Sequence, residues 1–140
     1  MRCCGADIGG KDLILAIVEN KSGSLNYVPT KPPKITLKDD EDQNLVKLFF
    51  ETVTAFARAN NIDLIAIKKR ATKGKFAGGS VTFKIESMLQ LLPDCTVKLY
   101  APATIAAKNK AMKFELPDDI NAYQKDAFLA ACCALAMKDV

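Results

Sequence analysis

Arg2-Cys3-Cys4-Gly5-Ala6-Asp7-Ile8-Gly9-Gly10-Lys11-Asp12-Leu13-Ile14-Leu15-Ala16-Ile17-Val18-Glu19, residues 2–19, decides the fold. A short, moderately apolar run, Arg2–Ile8, and a second run rich in Ile, Leu and Val flank Gly9-Gly10-Lys11, a turn signal, so the segment predicts two strands folded back on each other. Lys21-Ser22-Gly23-Ser24 is a second turn, and a third extended run goes from Leu25 to about Leu37. Pro29, Pro32 and Pro33 interrupt that run, which places it at a sheet edge, where missing ladder donors cost least. The chain therefore opens as a meander of three antiparallel strands.

Beyond residue 37 the period changes. Lys38-Asp39-Asp40-Glu41-Asp42 is acidic and suits a helix start. Val46, Phe49, Phe50, Val53, Phe56 and Ala57 follow at three- and four-residue steps, predicting an amphipathic helix over about 41–59 that Asn60-Asn61 ends. The phenylalanines are read as core residues, not as a stacking surface for bases. Ile62–Ile67 reads as a buried parallel strand. Ser80 is placed as the cap of a helix carrying Val81, Ile85, Met88, Leu89 and Leu92, and Cys95–Tyr100 as a fifth strand. Pro102 starts a helix reaching about Met112, and a last helix is expected over about 119–138. The order β-β-β-α-β-α-β-α-α, without internal repeat or linker, predicts one α/β domain over residues 1–140.

The 140 residues suffice for one such core. The absence of histidine excludes Ser-His-Asp and Cys-His catalysis and histidine metal ligation. Cys3, Cys4, Cys95, Cys132 and Cys133 are odd in number, include two vicinal pairs and lack a CxxC spacing. They are expected to be reduced, mostly buried thiols of a cytoplasmic protein made without a signal peptide. The apolar stretch Ala127–Met137 falls short of the roughly 20 residues that span a bilayer and predicts a buried helix, with no membrane partner.

Three antiparallel strands followed by alternating helices and strands resemble the ribonuclease H-like superfamily. Cys4-Gly5-Ala6-Asp7-Ile8-Gly9-Gly10 looks like the Gly-x-Asp-x-Gly end of the first strand in RuvC-type Holliday-junction resolvases. Lys125-Asp126-Ala127-Phe128-Leu129-Ala130-Ala131 looks like the start of their final helix. Within that superfamily the chain is most similar to a small bacterial domain-of-unknown-function family, numbered 3010. The resemblance implies a five-stranded mixed sheet with helices on both faces. It also implies nucleic-acid association, Mg²⁺- or Mn²⁺-dependent phosphodiester hydrolysis as a hydrolase, and a homodimer. Two-metal cleavage needs several carboxylates around ions about 4 Å apart, with hard oxygen ligands. Asp7 and Asp126 are the candidate catalytic and metal-binding residues.

The same resemblance asks for two further acids, and the chain supplies neither. Lys68 stands where the strand Ile65-Ala66-Ile67 should end in an acid, and Tyr123 stands one helical turn before Asp126. A lysine ammonium there would repel a divalent ion and form an ion pair instead. Glu86, Asp12, Asp118 and Asp119 are read as ordinary solvated or helix-start acids. Asp7 has the alternative role of a turn acid at Gly9-Gly10, and Asp126 that of a salt-bridge partner for Lys68 or of an exposed first-turn residue. The second functional reading is therefore a non-catalytic binding or protein-interaction module on the same fold.

Lys68, Lys69, Arg70, Lys73 and Lys75 put five positive charges into eight residues, followed by Gly78-Gly79. This is a candidate clasp for a DNA or RNA backbone, or else a solvated loop. Lys108, Lys110 and Lys113 add charge further on. No Walker A spacing is present. A similar Asp-x-Gly-Gly in sugar kinases and actin-like ATPases serves two lobes, of which this length supplies one.

Overall fold

The structure is a computed structural model and describes residues 1–74 and 78–137. Strands β1 (Arg2–Gly9) and β2 (Asp12–Lys21) form the expected antiparallel hairpin, closed by Gly10-Lys11. Gly10 takes φ +60, a conformation that glycine adopts without steric cost.

The third run is divided. β3 (Ser24–Val28) pairs with Ile17–Lys21, and β4 (Lys34–Thr36) pairs with Asp12–Ile14, both antiparallel to β2 along one edge. The proline-bearing residues between them leave the ladder, so β3 and β4 act as one edge strand broken in the middle. Helix α1 (Gln43–Ala59) is capped by the Asp42 side chain and ends at Asn60. β5 (Leu64–Lys68) then pairs parallel with β1, and β6 (Thr96–Tyr100) parallel with β5. The order β3-β2-β1-β5-β6 makes a mixed sheet with β1 at its centre.

Alternation along the strands divides the core. Cys4, Ala6, Ile8, Ile65 and Ile67 face α1 and α2 (Ser80–Gln90); Cys3, Ala16, Val18, Leu64 and Ala66 face α3 (Pro102–Met112) and α4 (Lys125–Ala136). Helices thus cover both faces, as expected. Cys3, Cys4, Cys132 and Cys133 are buried free thiols, and Cys95 is half-buried. Among the described residues no helix is long and apolar enough to cross a membrane.

Two helix starts differ from the sequence reading. Ser80 is the first residue of α2, and Gly79 holds the cap position. α4 begins at Lys125, not near residue 119. Asn121 and Gln124 form a reciprocal capping box around the short 3-10 turn Ala122–Gln124, which starts the helix there.

Candidate functional site

Two parities fix the site. Cys3, Gly5 and Asp7 alternate onto the α4 face of β1, and Leu64, Ala66 and Lys68 alternate onto the same face of β5. At Gly5 the helix lies directly on the strand: a Cβ there would stand 1.7 Å from the Ala127 carbonyl oxygen. Buried Gln124 fixes the angle of approach. Its Nε2 donates to the Leu15 carbonyl at 2.7 Å, and its Oε1 accepts from the Asn121 backbone N–H at 3.1 Å. With α4 so placed, Asp126 in its first turn arrives at the ends of β1 and β5.

Lys68 acts on both acids: it bonds Asp126 and its charge is felt at Asp7. Its Nζ donates to Asp126 Oδ2 at 2.9 Å. The Lys68 side chain is 23% exposed and that of Asp126 48%, so the pair sits at the rim of the cluster.

Asp7 is deeper, with 10% of its side chain exposed. Its partner is Arg70, whose Nη2 stands 3.6 Å from Asp7 Oδ1, while Arg70 Nε donates to the Ile8 carbonyl at 2.9 Å. Asp7 Oδ1 is buried and has no hydrogen bond. Burial pushes the Asp7 pKa above its ordinary value, and nearby Asp126 adds to that; Arg70 and Lys68 oppose it without cancelling it. Among the described residues the Asp7 side chain makes no hydrogen bond to the Gly9-Gly10 backbone, as its role as a turn acid would require.

These residues were tested against the metal chemistry that the resemblance implies. Among the described residues no group of three or more His, Cys, Asp or Glu could hold a metal ion. The two convergent carboxylates each face a fixed cation, and one buried oxygen receives only a long ionic contact. That donor set does not fit a two-metal centre. Glu86 Oε2 is buried without a hydrogen-bond partner on α2, which packs on the opposite face of the sheet. Asp12 accepts from the Thr36 hydroxyl at 2.6 Å. Asp118 and Asp119 are exposed. None of these joins the cluster.

The raised pKa of Asp7 carries a stability consequence. A carboxyl that binds its proton more tightly in the folded state stabilises fully below its ordinary value, and that stabilisation is lost as pH rises through the folded pKa. At neutral pH the charged Asp7 is therefore a net cost. Asp7→Asn is expected to raise Tm at pH 7, with the gain shrinking as pH falls through the raised folded pKa and gone below about 4, where aspartate is protonated in both states. Thermal melts of both proteins across that range check it, and a lower Tm for the variant at pH 7 would contradict it.

The basic segment follows β5 closely. Lys69 is exposed, and its backbone N–H donates to Tyr100 O, continuing the β5–β6 pairing by one residue. Lys69, Arg70, Thr72 and Lys73 line an open cavity closed on one side by Pro102, the first residue of α3. Lys75 lies outside the described residues. Lys108 and Lys110 are six and eight residues along α3 from Pro102, roughly 9–12 Å at helical rise, so they form a separate patch.

Sequence reading assigned Arg70 to the basic clasp and missed it as the partner of Asp7. Nor did it single out Gly5 or Gln124. A glycine inside a buried strand was an available signal for Gly5, since such a residue often marks a close backbone approach.

RuvC of Thermus thermophilus superposes with a TM-score of 0.70 at 13% identity, covering 99% of this chain and 97% of that one. The same protein in complex with a Holliday junction substrate gives 0.65 at 14% identity, covering 95% and 91%. The fowlpox virus resolvase in complex with Holliday junction DNA gives 0.62 at 14% identity, covering the whole of both chains. At these identities the likeness establishes the fold, which is ribonuclease H-like of the RuvC type. A comparison with curated proteins gives no match. Residues 1–134 match the family model described as "Protein of unknown function (DUF3010)", and the chain belongs to that family.

Proposed function

We propose that this chain is a nucleic-acid-binding domain that holds a DNA or RNA backbone without hydrolysing it. The observation that carries the reading is the Lys68 ammonium 2.9 Å from Asp126 Oδ2. A positive charge fixed on Asp126 and felt at Asp7 lowers their affinity for a divalent ion and leaves the end of the sheet cationic, together with Lys69, Arg70 and Lys73. The RuvC-type fold supports nucleic acid as the partner, since two of its similar structures contain Holliday junction DNA.

A metal-dependent reading has one observation in its favour: Asp7 and Asp126 do approach the same cluster, each with a cation between or beside them. In it, Asp7 and Asp126 would hold Mg²⁺ or Mn²⁺ for phosphodiester hydrolysis, once Lys68 had left its partner.

The test is a gel shift and a cleavage assay on branched, duplex and RNA-containing substrates, with Mg²⁺, Mn²⁺ or EDTA. The expected result is a shift that weakens steeply with salt, log K falling by about 0.9 per phosphate contact against log salt, and no product in either metal. Cleavage abolished by Asp7→Asn would establish the metal reading instead. No shift at low salt would remove nucleic acid as the partner.

A further inference from the structure

Arg70 is held more firmly than a solvated basic residue. Its Nε is committed to the Ile8 carbonyl at 2.9 Å, and one edge of its guanidinium faces Asp7 at 3.6 Å. Gly78 leaves room for it: a Cβ there would stand 3.0 Å from Arg70 Cβ. The Gly78 N–H donates to the Ala71 carbonyl at 2.8 Å, tying the two sides of the basic segment together. A guanidinium carries five N–H donors in a rigid fork. Among the described residues Nη1 makes no hydrogen bond, and neither Lys69 nor Lys73 has an acidic partner.

Arg70 also lines the open cavity of about 360 Å³ shared with Lys69, Thr72, Lys73 and Pro102. Three cations and a hydroxyl border it, and Asp7 lies behind Arg70 rather than along its wall. We infer that this cavity seats one backbone phosphate, with Arg70 as its forked anchor and Asp7 as the positioning residue that orients the guanidinium. The inference rests on the nucleic-acid reading above and gives Asp7 a role opposite to that of a metal ligand. An oriented fork suits a tetrahedral dianion or a phosphodiester, because two parallel N–H donors reach two of its oxygens at little entropic cost. Lys69 and Lys73 supply charge without fixed geometry.

The experiment measures binding of a short labelled DNA duplex by fluorescence anisotropy in EDTA, at several salt concentrations. Arg70→Lys keeps the charge and loses the fork. It is expected to weaken binding about tenfold with the salt slope unchanged. Lys73→Met is expected to reduce that slope by about 0.9. Asp7→Asn should weaken binding several-fold while Tm at pH 7 rises, a combination that general loss of structure does not produce. Lys47→Met, on exposed α1 across the sheet, serves as the control for bulk charge.

A second measurement needs no variant. The Arg70 Nε–H resonance of the wild-type protein should move on addition of the duplex. Inorganic phosphate at equal phosphate concentration should move it far less, since a single free anion lacks the neighbouring contacts. Equal movement by inorganic phosphate would make this a small-anion site and overturn the backbone assignment. Wild-type binding that Arg70→Lys leaves intact, or reduces no more than Lys47→Met does, would overturn the seat while leaving nucleic-acid binding in place. Failure of the wild-type protein to bind any nucleic acid would remove both.

Discussion

Gly5→Ala is expected to unseat α4 and to cost at least about 3 kcal/mol, at or beyond the upper end of ordinary overpacking. The added methyl would stand 1.7 Å from the Ala127 carbonyl oxygen, 2.6 Å from its carbon and 3.1 Å from the Ala131 nitrogen, where ordinary contact begins near 3.4 Å. These are backbone atoms of a helix, so no side chain can rotate away, and the helix itself must retreat by more than an ångström. Such a retreat opens the interface of Cys3, Ala66, Ala127, Ala130, Ala131 and Ala134, whose small side chains are all fully buried by the close approach. A domain of this size has roughly 5–15 kcal/mol in total, so the loss is a large fraction of it. Thermal unfolding followed by circular dichroism measures the effect. Gly79→Ala is the control for overpacking, because a Cβ there meets nothing within 4 Å; as the cap of α2 it is expected to lose only about 1 kcal/mol. A Gly5→Ala protein melting within a few degrees of wild type would mean that α4 is not seated on β1 as described. The placement of Asp126 beside Lys68 would then fail with it.

Gly5 also shows where sequence reading stops. The hairpin was legible because Gly9-Gly10 punctuates two strand-like runs, and α1 because its phenylalanines recur at helical spacing; both are local signals. The divided edge strand was half legible: the prolines marked an edge, but only the pairing of β3 and β4 with β2 showed that the chain leaves and rejoins one ladder. The start of α4 was misplaced because Pro117-Asp118-Asp119 has the composition of a helix start. The capping box at Asn121 and Gln124 is itself a local signal that the reading passed over; what the sequence hides is that Gln124 is also anchored to the Leu15 carbonyl, 109 residues away.

The site followed the same division. The substitution of Lys68 for an acid could be read from the resemblance, and its pairing with Asp126 was one of the alternatives the sequence left open. The contact of Arg70 with Asp7 was out of reach, because it depends on a loop folding back over the end of β1 across more than sixty positions. Local chemistry therefore indicated which groups carry charge, and tertiary packing decided which of them meet.

Lys68→Glu is the substitution expected to change the chemistry of the site most. It exchanges the ammonium that now bonds Asp126 for a carboxylate at the same strand end, so that Asp7, Asp126 and the new side chain carry three negative charges around one point. Without a metal the variant should melt below wild type, because Asp126 loses its partner and like charges repel. With Mn²⁺ it should recover, since a ligand that binds only the folded state stabilises it by about 2.7 kcal/mol at a hundredfold excess over its Kd. The wild-type Tm should not respond to the same Mn²⁺ concentration. Arg70 still faces Asp7 in this variant and weakens the site, so adding Arg70→Gln should tighten Mn²⁺ binding further. Two results would count against this account, and they point in different directions. A variant indifferent to Mn²⁺ would mean that the carboxyl groups do not converge closely enough to share an ion. A wild-type protein stabilised by Mn²⁺ as strongly as the variant would mean that Lys68 yields its place to a metal. The ion pair would then be a resting arrangement of a hydrolase, in place of the reason that this chain binds without cutting.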